Sequence, residues 1–176
     1  MNKKLAAMTG AIALVGALGA CSSSSSSTGA AATTSAAPKP TTATPYSGTV
    51  TGTLTLNTAT GAATSDWTSH FSSLGAGTGH DNVTFTITGA STFSYTGTRT
   101  FVATNGNKLF SAVKGSGTFT SKASHSTETD TITGGTGRFA GASGTYTDTI
   151  SSVVVSATST SQTSRFTSAV HGQIRY

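Results

Sequence analysis

The sequence is poor in cysteine, proline, charge and helical pattern, and each shortage excludes something. It has a single cysteine, Cys21, so it can form no internal disulfide, and stability must come from packing and strand pairing. Its three prolines, Pro38, Pro40 and Pro45, all precede residue 46, and nothing after them interrupts a strand ladder. Charged residues make up 9% of the chain, against roughly 25% in ordinary soluble domains. A formal charge of +5 and a pI near 9.7 therefore rest on few groups. No Lys/Arg cluster and no aromatic-basic interleaving occurs, so nucleic acid is not an expected partner. No stretch has apolar residues at helical spacing over a convincing length. There is no P-loop, no G-x-S-x-G and no cysteine nucleophile in the domain, and nothing implies a cofactor.

The N-terminus has the three-part form of an export signal. Lys3 and Lys4 are followed by an apolar stretch from Leu5 to Gly19, and Leu18-Gly19-Ala20 leads into Cys21. That tetrapeptide resembles the lipobox of bacterial lipoproteins. The resemblance implies cleavage after residue 20, lipidation of Cys21 and attachment to a bilayer on the extracytoplasmic face of the cell membrane or envelope. Two acyl chains on one cysteine suffice for stable anchoring. The apolar run is shorter than the roughly 20 residues of a spanning helix. Loss of Lys3 and Lys4 from the formal +5 leaves a mature chain of about +3. Residues 21–45 then read as a linker: six serines, Ser22 to Ser27, followed by Thr, Ala, Gly and Pro, a composition that cannot bury a core.

From Tyr46 the texture changes to alternation of apolar and Thr/Ser positions, the period of two of half-buried strands. Tyr46, Val50, Leu54 and Leu56 share one face while Thr49, Thr51, Thr53 and Thr55 line the other. Val83, Phe85 and Ile87 repeat the pattern, as do Phe93, Tyr95, Arg99 and Phe101, and finally Phe166, Val170, Ile174 and Tyr176. Asn105-Gly106 is a strong two-residue hairpin signal. Seven strand runs are clear. An eighth falls in Ser65 to Leu74, although Trp67, Phe71 and Leu74 also fit one face of a helix. Successive strands joined by short turns favour an all-β, antiparallel, eight-stranded closed up-and-down barrel over 46–176, because closure removes exposed edges.

The segment Ile132 to Gly144, ITGGTGRFAGASG, is similar to the GGTG-x-F-x-x-A-x-G turn of dirigent proteins and to the glycine-rich turn of allene oxide cyclases. The resemblance implies an eight-stranded barrel whose interior holds an apolar ligand. No catalytic residue of either family maps onto this chain. Physically, the glycines suit a tight connection with positive φ, Gly135 among them, and Phe139 is placed to plug a barrel end. Gly135 to Ala140 also matches G-x-G-x-x-A, but the dinucleotide fingerprint needs a helix next. Here a Thr/Ser-rich strand pattern follows, so a structural turn is expected.

The four histidines, His70, His80, His125 and His171, show no recurring metal-ligand spacing, whether as His80-Asp81 or as His125 with Glu128. They are expected to be solvent-exposed, and no metal site is expected. More informative are polar residues on apolar faces. Glu128 and Asp130 alternate with Ile132, Tyr146 and Asp148 with Ile150, and Arg99 with Tyr95 and Phe101. Charges turned inward must be paired. Arg99, Glu128, Asp130 and Asp148, with Tyr95 and Tyr146, are thus the candidates for a polar floor in an apolar cavity. That points to a cell-surface lipoprotein whose barrel binds a small apolar or amphipathic molecule. Two alternatives stay open: an isomerase- or cyclase-type enzyme using the same cavity, and a non-catalytic structural or adhesive envelope protein. The sequence leaves oligomerisation open.

Overall fold

A computed structural model describes residues 42–176. The signal segment, Cys21 and most of the linker lie outside the described residues. Eight strands follow one another: β1 (Thr44–Asn57), β2 (Ala62–Phe71), β3 (Gly75–Gly89), β4 (Thr92–Ala103), β5 (Lys108–Phe119), β6 (Ala123–Gly135), β7 (Ser143–Ala157) and β8 (Ser161–Arg175). Each pairs antiparallel with the next, and β8 pairs with β1 from Thr44–Ile174 to Asn57–Ser161, closing the sheet into an up-and-down barrel. The strand order is the expected one, and β1 starts two residues before Tyr46, with Pro45 inside its first turn of pairing. Proline is tolerated so near a strand start.

The ambiguous segment Ser65 to Leu74 is strand β2, which ends at Phe71. Its burial alternates without exception, with Ala63, Ser65, Trp67, Ser69 and Phe71 inside. Residues four apart share a face in a helix and in a strand alike, so Trp67 and Phe71 did not discriminate; the intervening Ser65 and Ser69, polar but inward, hid the period of two. Leu74 lies beyond the strand and is still buried.

Inward and outward faces follow the alternation elsewhere. The outward face is dominated by Thr and Ser, and among the described residues the exposed large hydrophobics are Ile87, Val153, Val155 and Tyr176. This is not the continuous apolar band of a membrane-spanning barrel. Ile87 keeps the inward parity of Val83 but stands at the rim, 65% exposed. All four histidines are on the outer surface.

Barrel interiors of this size are filled when small and large side chains face each other. Trp67 lies between two inward glycines, Gly52 on β1 and Gly79 on β3, each its direct register partner. Any Cβ on Gly79 would fall inside the indole ring. Such pairs let the rings lie across neighbouring strands, as Tyr95 also does over Gly115.

The two ends differ. At one end the chain enters at Thr44, and the β2–β3, β4–β5 and β6–β7 connections meet there. This end is closed by a core of Tyr46, Phe71, Leu74, Phe101, Leu109, Ile132, Phe139 and Ile174. The β6–β7 connection makes one 3₁₀ turn (Gly137–Phe139) and no helix, then enters β7. That is the structural turn the sequence implies. Phe139, fully buried, is the plug, and the guanidinium of Arg138 donates to the carbonyl of Leu74 across the end. Gly134, Gly137, Gly141 and Gly144 take positive φ, whereas Gly135 does not. Gly135 is required for a different reason: a Cβ there would strike the Lys108 carbonyl and Phe139.

The opposite end, ringed by the β1–β2, β3–β4, β5–β6 and β7–β8 turns, is open.

Candidate functional site

Arg99 comes from the middle of β4, and its register partner on β3 is Asp81. The pairing makes a fork-to-fork contact. Nε donates to Asp81 Oδ1 and Nη2 to Asp81 Oδ2, both at 2.9 Å. Asp81 also accepts from Ser65 Oγ at 2.8 Å and from Trp67 Nε1 at 3.0 Å. The third nitrogen, Nη1, faces β6 and β7. It donates to Asp130 Oδ2 at 2.6 Å and Asp148 Oδ2 at 2.8 Å, and lies 2.9 Å from Glu128 Oε1. Glu128 and Asp148 are direct cross-strand partners, and Asp130 faces Tyr146. The guanidinium carbon stands 5.5 Å from the centre of the Trp67 ring.

This register explains why the acids are inside. β6 and β7 run from Ala123–Val153 to Ile132–Gly144 without a bulge, so nothing rotates Glu128, Asp130 or Asp148 outward. Side by side, like charges on paired strands repel. The strand pairing is tenable because a guanidinium sits among them and because not every carboxyl is ionised.

Four carboxyls surround one guanidinium: Asp81, Glu128, Asp130 and Asp148 are all at most 5% exposed. Burial works against the charge of Arg99, but Glu128, Asp81 and Asp130 outweigh it and hold the group firmly cationic. Burial raises Glu128 well above the usual carboxylate range; Arg99 pulls it back, and Asp130 and Asp148 push it further up. Asp130 rises to about 6, mainly through burial, with Arg99 and a Tyr146 hydrogen bond opposing. Asp148 is also raised by burial. Oδ1 of Asp130 and Oδ1 of Asp148 have no hydrogen-bond partner, and Oε1 of Glu128 meets Arg99 Nη1 at 2.9 Å without the alignment of a hydrogen bond. Burial pushes the hydroxyls of Tyr46, Tyr95 and Tyr146 upward, so all three remain neutral donors. Tyr146 pairs with Ser111 at 3.2 Å and Tyr95 with Ser126 at 3.4 Å.

Oxygens of Glu128, Asp130 and Asp148 lie within 4.8 Å of one another, a spacing a metal ion could bridge. Arg99 Nη1, within hydrogen-bonding distance of all three, takes the place of that cation. His80 and Asp81, adjacent in sequence, part company. Asp81 joins Arg99 inside, and His80 Nδ1 pairs with Asp66 at 2.8 Å outside, which raises the imidazole pKa. His125 reaches Ser151 at 3.1 Å on the outer surface.

Above this layer the barrel opens into a cavity of about 310 Å³. Its floor carries Arg99, Asp81, Glu128 and Ser65. Its walls are Leu54, Val83, Phe85, Phe93, Phe119 and Phe166, among others, and Ile87 stands at the mouth. Beneath the floor is a void of about 10 Å³, about the least that admits one water.

Of the six candidate residues, all six point into the barrel and five gather around the sixth, Arg99. Arg99, Glu128 and Tyr95 line the cavity. Asp130, Asp148 and Tyr146 lie below, where they support the floor without lining the cavity. The sequence reading missed Asp81, the residue that holds Arg99 most completely, so four of the five acids in the chain are interior. The signal was present: Asp81 has the parity of Val83 and Phe85, but glycine at 79 and polar neighbours at 80 and 82 broke the visible pattern. Comparison with family models, with curated proteins and with solved structures returns no match.

Proposed function

We propose that the domain is a non-catalytic binding module for a small apolar or amphipathic molecule, held in the upper half of the barrel. The observation that carries this reading is the cavity itself. Its volume falls at the lower end of the range of small-molecule sites, and mainly apolar walls over a few convergent polar groups are their usual lining. The likeness of the Gly134–Gly144 turn to allene-oxide-cyclase-like and dirigent barrels supports it. So does the partition of the interior: a structural or adhesive envelope protein has no use for an emptied upper half.

The lipobox-like approach to Cys21 supports a lipid-anchored protein on the extracytoplasmic side of the membrane. The chain enters the barrel at its closed end, so an N-terminal anchor leaves the mouth at the opposite end from the membrane tether. A Cys21→Ala protein is expected to lose its acyl mass and leave the membrane fraction. If it stays membrane-bound with its first 20 residues attached, the anchor is something else.

Binding is tested with the neutral fluorophore N-phenyl-1-naphthylamine. Saturable uptake is expected, and Leu56→Trp, which fills the cavity from its wall, is expected to abolish it while the melting transition persists. Thr55→Trp, one residue away on the outer face, is expected to bind normally. Uptake that is unsaturable, or indifferent to Leu56→Trp, sinks the proposal. One feature supports a second reading, an isomerase- or cyclase-type enzyme: Glu128 is a carboxyl raised by burial on the cavity floor, the condition of a general acid. That reading requires a turnover that disappears in Glu128→Gln.

A further inference from the structure

We infer that the molecule held in this cavity is an amphipathic cation, an apolar body ending in an ammonium group that docks on Glu128. The inference rests on the binding reading above and names the chemistry of its ligand.

Two polar heads, an anion and a cation, compete for such a floor, and the geometry separates them. An anionic head would need Arg99. Each of the three guanidinium nitrogens already donates to a protein carboxylate, Nε and Nη2 to Asp81 and Nη1 to Asp130 and Asp148. An incoming anion would also meet four carboxyls around that single positive group. A cationic head meets the reverse situation. Glu128 lines the cavity, its Oε1 turned toward Arg99 Nη1 at 2.9 Å, and the layer behind it holds more acid than base. An ammonium offers three donors and no acceptor. Ser126, Tyr95 and Ser164 place hydroxyl oxygens on the same lining to take the donors that Glu128 does not. The aliphatic and aromatic walls above then cover the body.

The surroundings of Glu128 determine the pH behaviour. β4 brings Arg99 and Tyr95 toward it, β3 brings Asp81, β7 brings Asp148 and its own strand brings Asp130. On β5 the register partner of Glu128 is Gly115, and on β8 Val170 faces Asp148; neither titrates. Burial and the three neighbouring acids, against the opposing pull of Arg99, favour the protonated carboxyl in the empty cavity. Docking of an ammonium reverses that preference. The Glu128 O–H proton passes to solvent, and a carboxylate–ammonium pair forms. Binding therefore releases a proton, and it tightens as pH rises, because less work is needed to ionise Glu128.

Three ligands of one length, decylamine, decanol and decanoate, give the test by calorimetry on the full domain between pH 6 and 8.5. Decylamine stays cationic throughout, as a lysine does. It is expected to bind about tenfold or more tightly than decanol at pH 8, the scale of one charge-assisted hydrogen bond. Its advantage is expected to grow with pH. Its heat is expected to depend on the ionisation enthalpy of the buffer, through release of up to one proton. Glu128→Gln is expected to keep decanol and lose the preference for amine. Should that variant fail to fold, the proton release and pH trend of the unaltered protein still decide. Equal binding of amine and alcohol, preference for decanoate, or an amine affinity with no pH dependence overturns the inference and leaves the cavity a neutral lipid site. If none of the three binds, and N-phenyl-1-naphthylamine does not either, the binding reading falls as well.

Discussion

Below the Arg99 layer the barrel is filled, and above it the barrel is open, although the same eight strands run through both halves. The difference lies in what the inward positions carry. In the lower half, β8 turns Val170 and Ile174 inward, β6 turns Ile132, and the β6–β7 connection adds Phe139. In the upper half the corresponding stretches of β6, β7 and β8 offer Ser124 and Ser126, Ser152, and Ser164. Ser124 and Ser152 bond each other across the strands at 2.7 Å. Small hydroxyl side chains satisfied in this way leave space unfilled, whereas the large apolar side chains of the lower half consume it. The charged layer between the halves acts as a partition: it cannot be covered by apolar atoms alone, and it supplies the cavity with its polar floor.

The two halves should respond differently to perturbation, and the partition should be the most sensitive part. Arg99→Met leaves four buried carboxyls without their counter-ion, and removing one partner of a buried pair costs about 3–5 kcal/mol. We expect the domain to lose most of its stability in urea, and a loss below about 1 kcal/mol would show the layer to be far more hydrated than its burial implies. Phe139→Ala empties the plug, at a cost of about 3–5 kcal/mol for a fully buried ring, and denaturation midpoints check it. The contrast is Leu56→Ala, in the half-buried upper wall, expected to cost roughly 1 kcal/mol or less because the site already borders open space. If the two cost the same, the upper half is not the cavity described. Between these extremes lies pH. Asp130 moves from an ordinary 3.8 to about 6 on folding, and Glu128 and Asp148 move the same way. The native state thus holds more protons than the unfolded chain above pH 4. Stability is fully present below the unfolded value and falls as pH rises through the native one, by on the order of 3 kcal/mol for Asp130. The melting temperature should therefore be higher at pH 5 than at pH 7.5. The opposite trend would mean that Arg99 keeps these acids ionised.

Much of this was legible from residue order. Alternation of Thr with apolar residues declared the strands, and Asn105-Gly106 declared the β4–β5 hairpin, whose loop, closed by Ala103 and Asn107, is longer than the two residues expected. The same period carried Arg99, Glu128, Asp130, Asp148, Tyr95 and Tyr146 to the inside. It failed where inward residues are polar or lack a side chain, as at Ser65, Gly79 and Asp81, since hydrophobicity was the only marker of direction. It also assigned Gly135 a backbone role, where the constraint is the approach of Lys108 and Phe139 from elsewhere in the chain.

The sequence by itself determined the fold class, the strand order and the facing of the side chains whose neighbours carry the apolar pattern, because each depends on a period of two and on short connections. The tertiary structure alone decided how deep each inward residue sits. Depth depends on the stagger of strands around the closed barrel, which no single strand encodes. That stagger seats Asp81 against the Nε–Nη2 edge of Arg99 and leaves Nη1 to Asp130 and Asp148. It places Tyr146 beneath the charged layer and Tyr95 above it, and it puts the open end opposite Thr44. Whether the interior is core or cavity is a sum over eight strands at one height, and only closure brings those terms together.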